Sequence, residues 1–129
     1  YPGYQYDEDS VQTVQNHGFT FARRGVAPEF EYDGHGGRGP AYDPQRHHPL
    51  SIPTTGASGP KWGWDDFLWA LDQAKNGKIC ILTFHGVPAL EHPWVNTNPE
   101  QFVKYMQYMK DNNFQVISLG ALDQFNDDL

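Results

Sequence analysis

Lys78-Ile79-Cys80-Ile81-Leu82-Thr83-Phe84-His85-Gly86-Val87-Pro88 is the stretch on which the fold turns. Residues 79–84 form an apolar, β-branched run too short for a helix in this setting, which predicts a strand over 78–84 buried on both faces, as in parallel sheets covered by helices. The flanking segments carry the covering helices. Over 64–76, Trp64, Phe67, Leu68, Leu71 and Ala74 fall on one helical stripe, with Gly77 at the stop. Over 99–112, Phe102, Tyr105, Met106 and Met109 recur at spacings of three and four, with Asn98 as N-cap and Pro99 at the first helical position. Residues 114–119 read as a further strand and 121–125 as a terminal helical turn. This alternation of strands and helices predicts an α/β fold with parallel strands.

Upstream the pattern is less regular. Residues 9–17 predict a short helix, with Val11 and Val14 on one side, Asp9 or Ser10 as N-cap and Gly18 as stop. Residues 19–22 read as an aromatic strand broken by Arg23-Arg24-Gly25. From about 25 to 61 the chain is rich in Gly and Pro, interrupted by Leu50-Ser51-Ile52, and predicts a long ordered loop with one brief strand. Loops of that length are usually functional or disordered, and the Tyr, Phe and His here favour a binding or lid role. No repeat marks a solenoid.

The chain has 129 residues, with 9 Lys+Arg against 16 Asp+Glu for a net charge of −7, and it is 38% hydrophobic and 15% aromatic. One domain with material for a core is expected. An acidic chain without a basic cluster offers no footprint for nucleic acid or anionic membrane, so neither is expected as a partner. No run approaches the roughly 20 apolar residues of a membrane span, and the opening Tyr-Pro-Gly-Tyr does not read as a signal peptide. The lone Cys80 excludes an internal disulfide and a Cys-based zinc site, and leaves the compartment open. Tyr1 in place of Met leads us to expect a fragment of a longer protein.

His85 is the leading candidate for chemistry. It directly follows the buried strand, and in parallel α/β folds ligands bind beyond the carboxyl ends of strands, where a His is placed for acid/base work. The plainer alternative is a His that caps the strand end. Glu91-His92-Pro93-Trp94 follows closely enough for His92 to converge on the same site, or only to fix a turn. His47 and His48 are adjacent and point apart in an extended chain, so one metal cannot readily use both. The set His35, His47, His48, His85 and His92 lacks the short fixed spacing of strong metal motifs, and no metal ligand is assigned. Trp62 and Trp64 with Asp65-Asp66 open a helix after Gly-Ala-Ser-Gly-Pro. Capping accounts for the Asp pair, while a Trp beside an Asp is also a way to grip a sugar ring. Arg23-Arg24 either anchors an anion or is solvated and ion-paired.

Several pieces in order carry a family resemblance: Pro2-Gly3-Tyr4, residues 18–25 (Gly-Phe-Thr-Phe-Ala-Arg-Arg-Gly), residues 54–59 (Thr-Thr-Gly-Ala-Ser-Gly), and above all Leu82-Thr83-Phe84-His85-Gly86-Val87-Pro88 with His92-Pro93-Trp94-Val95. Together they resemble the C-terminal half of a polysaccharide deacetylase of the NodB-homology, carbohydrate esterase 4 type. The resemblance implies a distorted (β/α) barrel, of which residues 1–129 would be one partial domain. It implies hydrolysis of N-acetyl groups on sugars with a divalent metal, usually zinc, held by an Asp and two His. It gives His85 the role of the late catalytic acid, and Pro2, Gly3, Tyr4, Trp62, Trp64, Asp65 and Trp94 places along the substrate groove.

The family's Asp-Asp and His-rich motifs, which supply its base and metal ligands, are absent from these residues. Zinc is therefore expected in a complete enzyme and not in this chain alone, and whether the chain is itself an enzyme stays open. A half barrel exposes a strand edge and part of its core, so a partner is expected: the missing N-terminal half or a second copy. Two further readings stand beside the deacetylase fragment. One is a noncatalytic self-assembling or carbohydrate-binding module using Trp62, Trp64 and Trp94. The other is a new metal site built among the five histidines.

Overall fold

The computed structural model describes residues 1–26 and 37–126. A 3-10 turn at Pro2–Tyr4 leads into α1, Glu8–Asn16. The N-cap of α1 is Asp7 and not Asp9 or Ser10. Its carboxylate accepts the Ser10 N–H at 2.8 Å while Ser10 Oγ accepts the Asp7 N–H at 2.7 Å, a reciprocal pair that satisfies two donors at the helix start. The Ser10 N–H, and the Ser10 hydroxyl that also donates to Asp7 Oδ1 at 2.8 Å, hold the Asp7 carboxyl below its ordinary pKa.

The expected strand over 19–22 does not form. Pairing falls a little later, where the Arg24 N–H donates to Ile52 O at 2.8 Å and the Ile52 N–H to Ala22 O at 2.9 Å, around a parallel bridge between Arg23 and Ile52. Phe19 stays 63% exposed, while Phe21 packs, partly buried, against the Tyr42, Ile52 and Leu122 cluster. Ile52, the end of the expected brief strand, is fully buried against Tyr42 and Leu122.

The only regular sheet among the described residues is one parallel pair, β1 (Gly56–Ala57) with β2 (Leu82–Thr83), in the register Gly56 to Leu82 and Ala57 to Thr83. The Thr55 N–H to Ile81 O and the Ser58 N–H to Thr83 O, both 2.9 Å, extend the contact, and an antiparallel bridge joins Tyr42 to Ile79. Gly56 is required at this crossing. A Cβ there would sit 2.8 Å from Trp62 Cζ2 and 2.9 Å from Leu82 Cδ2. Part of the expected binding loop is therefore scaffold: within residues 37–61, Tyr42, Leu50, Ile52, Thr54 and Thr55 are buried. His35 and the rest of residues 27–36 lie outside the described residues.

Helix α2, Trp64–Asp72, is shorter than its apolar stripe. After Asp72 the chain turns through an Ala74 N–H to Leu71 O bond of 3.0 Å, and Asn76 and Gly77 both take positive φ, 56° and 77°, which ends helical progression before Lys78. Helix α3, Pro99–Asp111, follows the sequence reading, with the Asn98 side chain accepting the Glu100 and Gln101 N–H groups and Pro99 in the first turn. A 3-10 turn at Leu119–Ala121 and α4, Asp123–Asn126, close the described chain.

Helices α2 and α3 meet through aromatic rings. Phe67 lies fully buried on Tyr105 with centroids 4.4 Å apart, and Trp62 meets both edge-on at 6.2 and 5.5 Å. Each such pair contributes about 0.5–1.5 kcal/mol beyond the area it buries. Ala70, Leu71 and Met109 complete this cluster.

The run at 79–84 is half-buried instead of buried on both faces. Its residues 79, 81 and 83 bond toward Tyr42 and β1, and residues 114–118 run extended without pairing to it. Among the described residues no backbone hydrogen bond links 114–118 to Cys80, Leu82 or Phe84. An apolar cavity of about 560 Å³ separates the two segments, walled by Leu71, Leu82, Phe84, Met106, Val116 and Ile117. Two strands of two residues are too small to define a barrel. No helix among the described residues is long and apolar enough to cross a membrane.

Candidate functional site

His85 stands exposed just beyond the carboxyl end of β2. The chain then makes a closed loop over residues 85–97. Gly86 and Asn96 form a parallel bridge, the Thr97 N–H donates to Gly86 O at 3.1 Å, and Asn96 Oδ1 accepts the Ala89 N–H at 2.6 Å. This closure carries His92 back to His85. Their ring centroids are 5.4 Å apart with the planes inclined by 58°, and Trp94 meets the His92 ring edge-on at 5.2 Å. Trp94 itself is 69% exposed. The sequence singled out all three residues, and the loop brings them together.

The base of this loop is tied to β1. Ser58 follows β1, and its hydroxyl lies 2.7 Å from Thr97 Oγ1, with both residues buried. A cleft of about 530 Å³ opens beside that contact, lined by Ser58, Trp62, Trp64, Asn96, Glu100 and Tyr105 among others. Its walls are aromatic on one side and polar on the other. Trp62 Nε1 and the Tyr105 hydroxyl are buried and have no hydrogen-bond partner among the described residues. Burial pushes the Tyr105 hydroxyl up, and Gln101, close but not in hydrogen-bonding geometry, opposes this only in part. Asn96, Thr97, Glu100 and Tyr105 were missed as site residues. Their only sequence signal is position, on the loop after His85 and the first turns of α3.

The remaining candidates separate. Trp62 is a core residue, 5% exposed, that presents one edge to the cleft; it offers no face for stacking, because β1 and the α2–α3 rings cover it. Trp64 is more open and lies nearly parallel to Tyr105, at 6.0 Å and 13°. Asp65 is exposed in the first turn of α2. Asp66 caps the helix, accepting the Gly63 N–H at 2.8 Å, and bonds Arg38 Nε at 2.8 Å. The turn that carries Pro2, Gly3 and Tyr4 is tethered by the Tyr1 amino group donating to Arg23 O at 2.8 Å and by the Tyr1 hydroxyl donating to Leu50 O at 2.7 Å.

Arg24 is buried and donates to Gly25 O, and Arg23 Nη1 donates to Thr54 Oγ1 at 2.6 Å, so neither is simply solvated. His47 and His48 each turn Nδ1 to the local backbone, accepting the Asp43 N–H at 2.9 Å and the Leu50 N–H at 3.1 Å. Among the described residues no group of three or more His, Cys, Asp or Glu converges as a metal site.

Compared with known proteins, the chain matches no family model, and no curated protein or solved structure is significantly similar to it.

Proposed function

We propose that this chain is the C-terminal portion of a distorted (β/α) barrel and contributes part of the active site of a metal-dependent polysaccharide deacetylase. His85 is its late catalytic residue. One observation carries the reading: an exposed His at the carboxyl end of a strand in a parallel pair, held by a closed loop beside an aromatic-walled cleft. In amide hydrolysis water adds to the acetyl carbonyl, the C–N bond breaks, and the departing sugar amine must take a proton. An exposed imidazole is suited to deliver it, and the loop that carries His85 reaches the cleft through Asn96 and Thr97. The cleft's aromatic wall, on which Trp64 is the open ring, suits a sugar ring.

The residues described here do not make the three-ligand metal site of the family. The zinc therefore belongs, in this proposal, to the complete enzyme, and no step is routed through it. A partner is part of the same proposal. Residues 114–118 make no backbone hydrogen bond to the 79–84 run, and an apolar cavity lies between the two segments, which supports pairing with an N-terminal half or a second copy.

A noncatalytic carbohydrate-binding or self-assembling module is the second reading, favoured by the exposure of Trp94. Intact mass, light scattering after size exclusion, and metal content of the same sample separate the two. A second polypeptide of barrel-half size with about one zinc per pair is the outcome expected of the deacetylase, since a catalytic zinc needs three protein ligands. A metal-free homo-oligomer would remove catalysis by this route and leave the binding module.

A further inference from the structure

We propose that His85 and His92 form a two-histidine site for a zinc-type transition-metal ion. The closed loop over residues 85–97 fixes the pair before any ligand arrives. Gly86 packs so tightly that a Cβ would lie 2.8 Å from the Ala89 Cβ, and the Asn96 side chain and the Thr97 amide lock the two ends of the loop together. Trp94 braces the second ring.

The spacing matches shared coordination. With Zn–N bonds of about 2.05 Å, two imidazoles on a tetrahedral ion have ring centroids about 5.2 Å apart, and at a right angle about 4.5 Å. The observed separation is 5.4 Å. Both rings are exposed, so a hydrated ion reaches them without disturbing the core. Neutral imidazole favours zinc or copper over calcium and magnesium, which take oxygen ligands. The net charge of −7 draws cations to the surface. With two protein nitrogens, the remaining positions on the ion fall to water, which makes this an open site. His47 and His48 offer no equivalent pair, because each commits Nδ1 to its own loop backbone.

This site is distinct from the three-ligand zinc expected of a complete deacetylase, and it does not depend on that reading. It bears on it all the same, because an imidazole bound to zinc is not free to carry a proton, so excess zinc at His85 would silence the acid.

Calorimetric titration of the chain with zinc chloride tests the proposal, with far-UV circular dichroism as the check on folding. One zinc per chain is expected. His85→Ala and His92→Ala should each weaken binding about tenfold or more, since even outer-shell partners of zinc ligands are worth that much. His92→Gln should do the same should the Ala variant misfold. His48→Ala should bind as the wild type does, and magnesium chloride should give no uptake. Zinc affinity unchanged in folded His92→Ala, or no zinc uptake by the wild type, overturns the proposal. Neither result touches acetate release, on which the deacetylase reading stands or falls separately.

Discussion

The Ser58–Thr97 contact ties β1 to the loop that positions His85, and a double-mutant cycle measures it. The two hydroxyls are 2.7 Å apart and both residues are buried. Thr97→Val keeps the side-chain shape but leaves the Ser58 hydroxyl in a dry site without its partner, at a cost of about 1–3 kcal/mol. Ser58→Ala strands the Thr97 hydroxyl in the same way. Replacing both removes the stranded group along with the bond, so the double variant should lie close to wild type and well short of the summed single effects. With the double variant close to wild type, the coupling is the sum of the two single costs, about 2–6 kcal/mol. Urea unfolding followed by tryptophan fluorescence reads this directly: with a slope of about 1–3 kcal/mol per M, each single variant should move the midpoint by roughly 1 M. Hydrogen exchange adds a local reading, because the Thr97 amide, bonded to Gly86 O at 3.1 Å, should lose protection in the single variants and regain it in the double. Two single variants that both unfold like wild type, or a double variant equal to their sum, would refute the link between β1 and the histidine loop.

Other consequences follow from burial. Phe67→Ala removes the ring stacked on Tyr105 at 4.4 Å and should cost about 3–5 kcal/mol of stability by urea unfolding; Phe67→Leu, closer in volume, should cost less than half as much. Burial pushes the Cys80 thiol up to about 12, opposed slightly by a hydrogen bond with Thr55. At pH 8 the native protein should therefore react with a thiol reagent at least about a hundredfold more slowly than the urea-unfolded chain. Because the folded-state pKa lies above the unfolded value of about 8.5, the stability gained by keeping this thiol neutral is complete below that pH. It is lost as pH rises toward 12, which unfolding midpoints on either side of the window will show.

The helices were more legible than the strands. Asn98-Pro99 and the apolar spacing define α3 because cap, first turn and stripe agree, and the structure adds nothing to that reading beyond the final residue. Helix α2 stops before its stripe ends because Asn76 and Gly77 reverse the chain, a left-handed turn that apolar periodicity does not register. β1 was hidden inside a Gly/Pro-rich segment. Its Gly56 is there because Trp62 and Leu82 leave no room for a Cβ, so a packing requirement took the form of a loop signal. Residues 114–118 have strand composition but no strand partner among the described residues, and composition cannot supply one.

The site divides in the same way. His85, His92 and Trp94 were visible as residue types next to a strand end, and the loop closure unites them. Trp62 looked like a surface platform from its Gly-rich setting and is core instead, since its neighbours across β1 lie far away in sequence. Asn96 and Thr97, which hold the loop shut, carry no pattern that distinguishes them from turn residues.

Acetate release from N-acetylated oligosaccharides, measured for the complete polypeptide bearing this chain with and without His85→Ala, tests the deacetylase proposal most directly. Activity in the wild type that falls about 10²–10⁴-fold in the variant, the range for losing a general acid, with unfolding midpoints unchanged, is the expected result. Equal activity in the two, or none in the wild type, would contradict it.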